Sequence, residues 1–239
     1  MLRGPQNLPE RILEVRRRIE GAATRAGRSA QSVTLLAVTK AQPPEVVRAA
    51  ADCGLEHFGE SYLQEALEKL DALRDRPLTW HFVGRIQANK TRPLAERFAW
   101  VHAVDRLRVA ARLSEQRPEG AAPLNVCLQV HLGNEASKGG AAPAELPELA
   151  RAVGALPHLR LRGLMCIPPE ETEAARQRAW FHELRQLYAQ LNAAGAGLDT
   201  LSMGMSADFE AAIEEGATIV RIGTALFGPR DGRLQSRHV

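Results

Sequence analysis

Cysteine is scarce in this 239-residue chain: Cys53, Cys127 and Cys166 are odd in number, scattered, and form no Cys-x-x-Cys pair. That leaves no disulfide framework and no thiolate set for structural zinc. Long apolar runs are also missing, since nothing approaches the roughly 18 residues that a membrane-spanning helix needs. The opening Met1-Leu2-Arg3-Gly4-Pro5 lacks the apolar core of a signal peptide, so the expected location is the cytoplasm, with no membrane partner. Charge of one sign is not in excess. A formal net charge of +3, with arginines set beside acids as in Glu14-Val15-Arg16, predicts solvated helix faces and argues against a nucleic-acid partner. The scarcest charged residue is lysine. Of 31 basic residues only Lys40, Lys69, Lys90 and Lys138 are lysine, so a lysine here is more informative than usual.

What is present is a regular alternation. Strand-like runs at residues 33–40, 55–59, 79–84, 100–104, 125–131, 161–167, 200–204 and 218–223 alternate with stretches of helical periodicity. This predicts an α/β fold, a single (β/α)8 TIM barrel over residues 1–239, with a doubly wound open sheet as the runner-up. Closure is favoured because only a short turn, residues 225–228, follows the eighth run. An N-terminal helix with Leu8, Ile12, Val15, Ile19 and Ala22 on one face can fill that place in the outer ring. Asn7 is its expected N-cap and Gly27 its stop. Ser61 with Gln64 reads as a capping box, Asp105 and Ser206 as further caps, and the tail beyond about residue 229 as loose.

The first run, Val33-Thr34-Leu35-Leu36-Ala37-Val38-Thr39-Lys40, is apolar like a strand buried on both faces and ends on a lysine. A barrel places functional groups at the C-terminal ends of its strands, and commonly holds a phosphate on the loops after strands seven and eight. Burial there lowers an ammonium pKa and yields an amine able to form an imine; the alternative is a lysine reaching out to water. The seventh run ends Ser202-Met203-Gly204-Met205-Ser206 and the eighth Val220-Arg221-Ile222-Gly223-Thr224. Alone, Ser206 reads as a helix cap and Gly223 as a packing position. Together, and facing Lys40, Met203, Gly204, Ser206, Gly223 and Thr224 read as a phosphate cradle. Arg221 inside a strand needs an acceptor, either a strand-end acid such as Glu60 or a ligand. A phosphorylated aldehyde with a ring nitrogen uses all three components, and that ligand is pyridoxal 5'-phosphate (PLP).

Seven segments carry a resemblance: Ala37-Val38-Thr39-Lys40, Phe58-Gly59-Glu60-Ser61-Tyr62-Leu63-Gln64-Glu65, Trp80-His81-Phe82-Val83-Gly84-Arg85-Ile86-Gln87-Ala88-Asn89-Lys90, Ser137-Lys138-Gly139, Arg162-Gly163-Leu164-Met165, Leu201-Ser202-Met203-Gly204-Met205-Ser206-Ala207-Asp208 and Val220-Arg221-Ile222-Gly223-Thr224. In that order the chain resembles the YggS/PROSC pyridoxal-phosphate-binding proteins, also called PLP homeostasis proteins. The resemblance implies a barrel like the N-terminal domain of alanine racemase, a Schiff base at Lys40, and phosphate contacts at Ser206, Gly223 and Thr224. Family members usually carry asparagine where this chain has Ser61, so no cofactor contact is carried over to that position. It further implies a non-catalytic carrier in vitamin B6 and amino-acid homeostasis, with PLP-dependent apo-enzymes as recipients; the oligomeric state stays open, a monomer being allowed. The alternatives are a small amino-acid racemase and, more distantly, a barrel aldolase using Lys40. His81 reads as a hydrogen-bonded core group, and Lys90 and Lys138 as loop lysines that hold a carboxylate or are solvated.

Overall fold

The computed structural model describes residues 7–133, 139–169 and 171–229; Lys138 and the tail beyond residue 229 lie outside them. Strands β1 (Thr34–Val38), β2 (His57–Glu60), β3 (Thr79–Phe82), β4 (Trp100–Val104), β5 (Leu124–Val130), β6 (Leu159–Cys166), β7 (Thr200–Ser202) and β8 (Ile219–Ile222) each pair in parallel with the next. β8 also pairs with β1, setting Leu36 beside Arg221 and Ala37 beside Ile222. The sheet is therefore a closed barrel, and the open-sheet alternative falls.

The seams are unequal. Every residue of β5 has a partner on β6, whereas β7 and β8 share one registered pair, Ser202 with Ile219. Bonds from Met203 N–H to the Ile219 carbonyl, 3.1 Å, and from Arg221 N–H to the Gly204 carbonyl, 2.9 Å, extend that short ladder upward.

Around the barrel run α1 (Leu8–Arg25), α2 (Pro44–Asp52), α3 (Leu63–Ala72), α4 (Thr91–Arg97), α5 (Leu107–Gln116), α6 (Leu146–Gly154), α7 (Ala174–Ala193), α8 (Phe209–Glu214) and the single turn α9 (Thr224–Phe227). Leu8, Ile12, Val15, Ile19, Ala22 and Ala23 fall on one face of α1, and all are buried. That face packs against α8 and α9, in the place that so short a last helix leaves in the ring. Burying each of Ile12, Val15 and Ile19 contributes about 1.5–3 kcal/mol. Gly27, at φ 66°, ends the helix by letting Arg28 N–H return to the Ala23 carbonyl at 2.8 Å.

The structure corrects the expected caps. Asn7 occupies the N-cap position but is left-handed, φ 72°, and makes no side-chain cap. Ser61 makes no capping box. Its carbonyl lies against Gly84, where an added Cβ would sit 2.1 Å from it, so the chain stays extended and α3 starts after Tyr62. Asp105 binds the Arg106 guanidinium instead of capping α5. Ser206 does not cap α8 either, because Asp208 holds that turn: its Oδ1 accepts Met205 N–H at 2.5 Å.

Candidate functional site

Lys40 lies two residues beyond the end of β1, half-buried, in a turn closed by Gln42 N–H on the Thr39 carbonyl, 2.9 Å. The next residue, Ala41, adopts φ 62°, a left-handed conformation that costs a residue with a Cβ about 1–2 kcal/mol. Something must hold it there. Ala41 N–H donates to Glu65 Oε1 at 2.6 Å, and that carboxylate is itself bound by the Lys69 ammonium. Lys69, 1% exposed, also donates to the Thr39 carbonyl at 2.6 Å and to Glu60 Oε1 at 2.8 Å, and Thr39 Oγ1 donates to the same Glu60 oxygen at 2.5 Å. A charged cluster thus grips the backbone on both sides of Lys40. Burial pushes the Glu60 carboxyl up, against the opposing pull of Lys69.

Arg221 enters the barrel interior from β8 and is 4% exposed. Glu60, its expected acidic partner, belongs to Lys69, and Arg221 binds neutral groups. One Nη donates to the Ser202 carbonyl at 2.6 Å and to Ser202 Oγ at 3.0 Å, the other to the Cys166 carbonyl at 2.7 Å. Three of the five guanidinium N–H groups are used this way. Burial pushes the thiols of Cys127 and Cys166 up to about 12, so they stay neutral, and the site retains a buried positive charge.

Above Arg221 the loops after β7 and β8 meet. Ser206 Oγ accepts Ala225 N–H at 3.2 Å, tying one loop to the other. Gly204, at φ 91°, makes the turn possible, and a Cβ there would fall 2.6 Å from Ala212 Cβ. Met203 is wholly buried behind this turn. Gly223 lies beside Val38, two residues before Lys40, and Thr224 is exposed at the rim. Among the described residues, the backbone N–H groups of Ser206, Ala207, Gly223 and Thr224 have no acceptor. Donors converging next to a buried guanidinium suit an anion carrying several oxygens. An aldehyde phosphate with a ring nitrogen therefore fits these residues: an amine at the strand end, amide and hydroxyl donors on the neighbouring loops, and a guanidinium below.

His81 is wholly buried and hydrogen-bonded, as expected of a core histidine. Lys90 is exposed at the rim, lining a cavity of about 450 Å³ with Arg85 and Tyr62. Sequence reasoning missed Thr39 and Lys69, and it missed that His57, His102 and Ser202 join His81 inside the barrel. The available signal was the row of polar residues on strands that are otherwise apolar.

A closed barrel with a lysine at the mouth of β1 and an arginine within β8 defines a class of protein, and residues 14–231 match the family model of the alanine racemase N-terminal domain. Within that class the chain belongs to the pyridoxal phosphate homeostasis proteins. It is 62% identical over 224 residues to the pyridoxal phosphate homeostasis protein of Pseudomonas aeruginosa, covering 94% of this chain and 96% of that one. Identity to the Escherichia coli K12 protein of the same name is 48%, covering 94% and 97%. Among solved structures, PipY of Synechococcus elongatus with PLP bound superposes with a TM-score of 0.82 at 37% identity, over 93% of this chain and all of that one. Alanine racemase from Corynebacterium glutamicum shares the fold, with a TM-score of 0.69 at 20% identity over 90% of this chain and 61% of its own.

Proposed function

We propose that the protein binds PLP covalently at Lys40 and serves intracellular PLP and amino-acid homeostasis without appreciable turnover. The carrying observation is the clamp on the Thr39–Lys40–Ala41 backbone, which fixes the turn that bears the Lys40 amine on the strand next to β8 and its donor-rich loop. PLP supplies an aldehyde for an amine to capture and, on an enzyme, an electron sink. Lys40 Nζ would be the attachment point. The Ser206 and Thr224 hydroxyls and the amides of Ser206, Gly223 and Thr224 would hold the phosphate, with Met203 and Gly204 forming the turn behind them. Arg221 would present its donors to the ring nitrogen. Because a guanidinium has donors and no acceptor, it favours the unprotonated ring, a poor electron sink, which argues against transamination and decarboxylation.

Racemization tolerates such a ring but needs a second acid/base opposite the lysine. Tyr188 is engaged in the outer layer, its hydroxyl donating to the Leu198 carbonyl at 2.7 Å. Tyr62, 43% exposed at the rim just before α3, is the remaining tyrosine. The racemase reading therefore rests on Tyr62.

The test is absorption of the purified protein before and after borohydride, with mass mapping of the reduced lysine. The visible band should disappear and the adduct should map to Lys40; Lys40→Ala should fold and carry neither. An adduct persisting on Lys90 or Lys138 would move the anchor. Incubating loaded protein with L- and D-alanine in deuterated water should give no α-proton exchange at enzymatic rates. Exchange lost in Tyr62→Phe would replace the carrier reading with a racemase.

A further inference from the structure

Four side chains outside the proposed contact set, the half-buried His57 and the buried His81, His102 and Ser202, form one chain through the barrel. His57 Nδ1 lies 3.0 Å from His81 Nε2, His81 Nδ1 lies 2.9 Å from His102 Nε2, and His102 Nδ1 lies 2.8 Å from Ser202 Oγ. The last link is Ser202 Oγ to Arg221, 3.0 Å. The chain starts at His57, which opens β2 and lines a cleft of about 690 Å³ bordered by Arg16 and Glu20. It ends at the guanidinium below the cradle. Trp100 stacks on His81 at 5.4 Å between ring centroids, holding its ring plane.

The direction of these bonds follows from their last member. Arg221 can only donate, so Ser202 Oγ accepts from it and its own hydroxyl hydrogen goes to His102 Nδ1. His102 must then carry its proton on Nε2 and donate to His81 Nδ1. By the same step His81 donates from Nε2 to His57 Nδ1. The reverse polarity would aim two donors at Ser202 Oγ and leave its hydroxyl hydrogen without an acceptor in a fully buried place, which folded proteins avoid. Burial keeps the imidazoles neutral, so each has one proton to place.

We infer that Arg221 polarises a single oriented relay, Ser202–His102–His81–His57, whose members are positioning residues for the guanidinium and through it for the cofactor ring. The relay occupies one guanidinium N–H and fixes the plane in which the remaining donors are presented. The effect on the ring rests on the proposed PLP site, whereas the polarity of the relay does not.

The first measurement therefore uses cofactor-free protein with 15N-labelled histidine. Long-range 1H–15N spectra should find all three imidazoles as Nε2–H, with through-hydrogen-bond coupling between successive rings. Arg221→Lys, which keeps a donor-only group, should preserve this, and Arg221→Met should give mixed tautomers. An Nδ1–H ring in the unsubstituted protein, or unmixed Nε2–H in Arg221→Met, overturns the relay. Should Arg221→Met not fold, Ser202→Ala cuts the same link and is read the same way. In loaded protein, Ser202→Ala should shift the resonance of a 15N-labelled ring nitrogen. Ser114→Ala, at a buried serine outside the relay, should not. A ring nitrogen indifferent to Ser202→Ala overturns the link to the cofactor.

Discussion

The corner that holds Lys40 and the interior that holds Arg221 solve opposite problems with opposite means. Beside Lys40 the functional group is half-buried while its supports are an ionic cluster of buried Lys69 and Glu60 with half-buried Glu65. Around Arg221 the functional group is the buried ion, and its supports are carbonyls, a hydroxyl and neutral rings. The ionic cluster fixes backbone, including a left-handed alanine; the neutral set fixes a side chain. An ionic cluster is thus placed where a strained turn must be held, and direct hydrogen bonds from neutral groups are used where a buried cation must be held.

Removing the charge at the centre of the first region should have the largest effect. Lys69→Met leaves Glu60 without its counter-ion in a site of 0% exposure, which costs about 3–5 kcal/mol when a buried pair is broken from one side. Urea unfolding should record that loss, together with slower adduct formation at Lys40. A loss near zero would mean that the cluster is not what holds the turn.

The second region should answer to acid. Burial depresses the His102 pKa from 6.5 to about 3, so between those values the unfolded chain takes up a proton that the folded one refuses. Its stabilisation is complete above about pH 6.5 and is lost as pH falls toward 3, at up to ~1.4 kcal/mol per pH unit. His81 and His57, also depressed, add to the slope. His102→Gln should flatten the stability profile in that window, and an unchanged slope would place the acid sensitivity elsewhere. Glu60 has the opposite sign: its raised pKa favours the protonated fold, and that contribution fades as pH rises above the ordinary carboxylate range.

The smallest effect on folding stability belongs to the loops that join the two regions, where the loss falls on binding instead. Ser206→Ala with Thr224→Val removes two hydroxyls, each worth about 1.5–3 kcal/mol as a charge-assisted bond. PLP affinity should fall at least tenfold with little change in unfolding. Unchanged affinity would move the phosphate away from these loops.

The barrel was legible because eight strand-like runs alternate with helical stretches and only a short turn follows the last. Lys40 stood out as a rare lysine closing such a run. Lys69 did not, because in sequence it is one more Glu-x-x-x-Lys pair on a helix, and only the approach of Thr39 and Glu60 from other strands encloses it. The histidine row was hidden for a similar reason. Which residues of β2, β3 and β4 face inward and at what height depends on the stagger of the closed sheet, and no single strand records it. Two of the misplaced caps share this cause: Ser61 and Ser206 have capping chemistry, yet Gly84 and Ala225 reach them from other parts of the chain, whereas Asp105 is taken by its own neighbour, Arg106.

The seam between β7 and β8, with its single registered pair, has a consequence for how the barrel breathes. A closed sheet opens where its stitching is sparsest, and the cradle spans that gap, with Gly204 and Ser206 on one lip and Gly223 and Thr224 on the other. A phosphate gripped from both lips would act as a removable rivet. Loading would slow amide exchange along β7 and β8 more than along the fully laced β5 and β6, so the weakest join in the wall would record whether the protein is carrying its cargo.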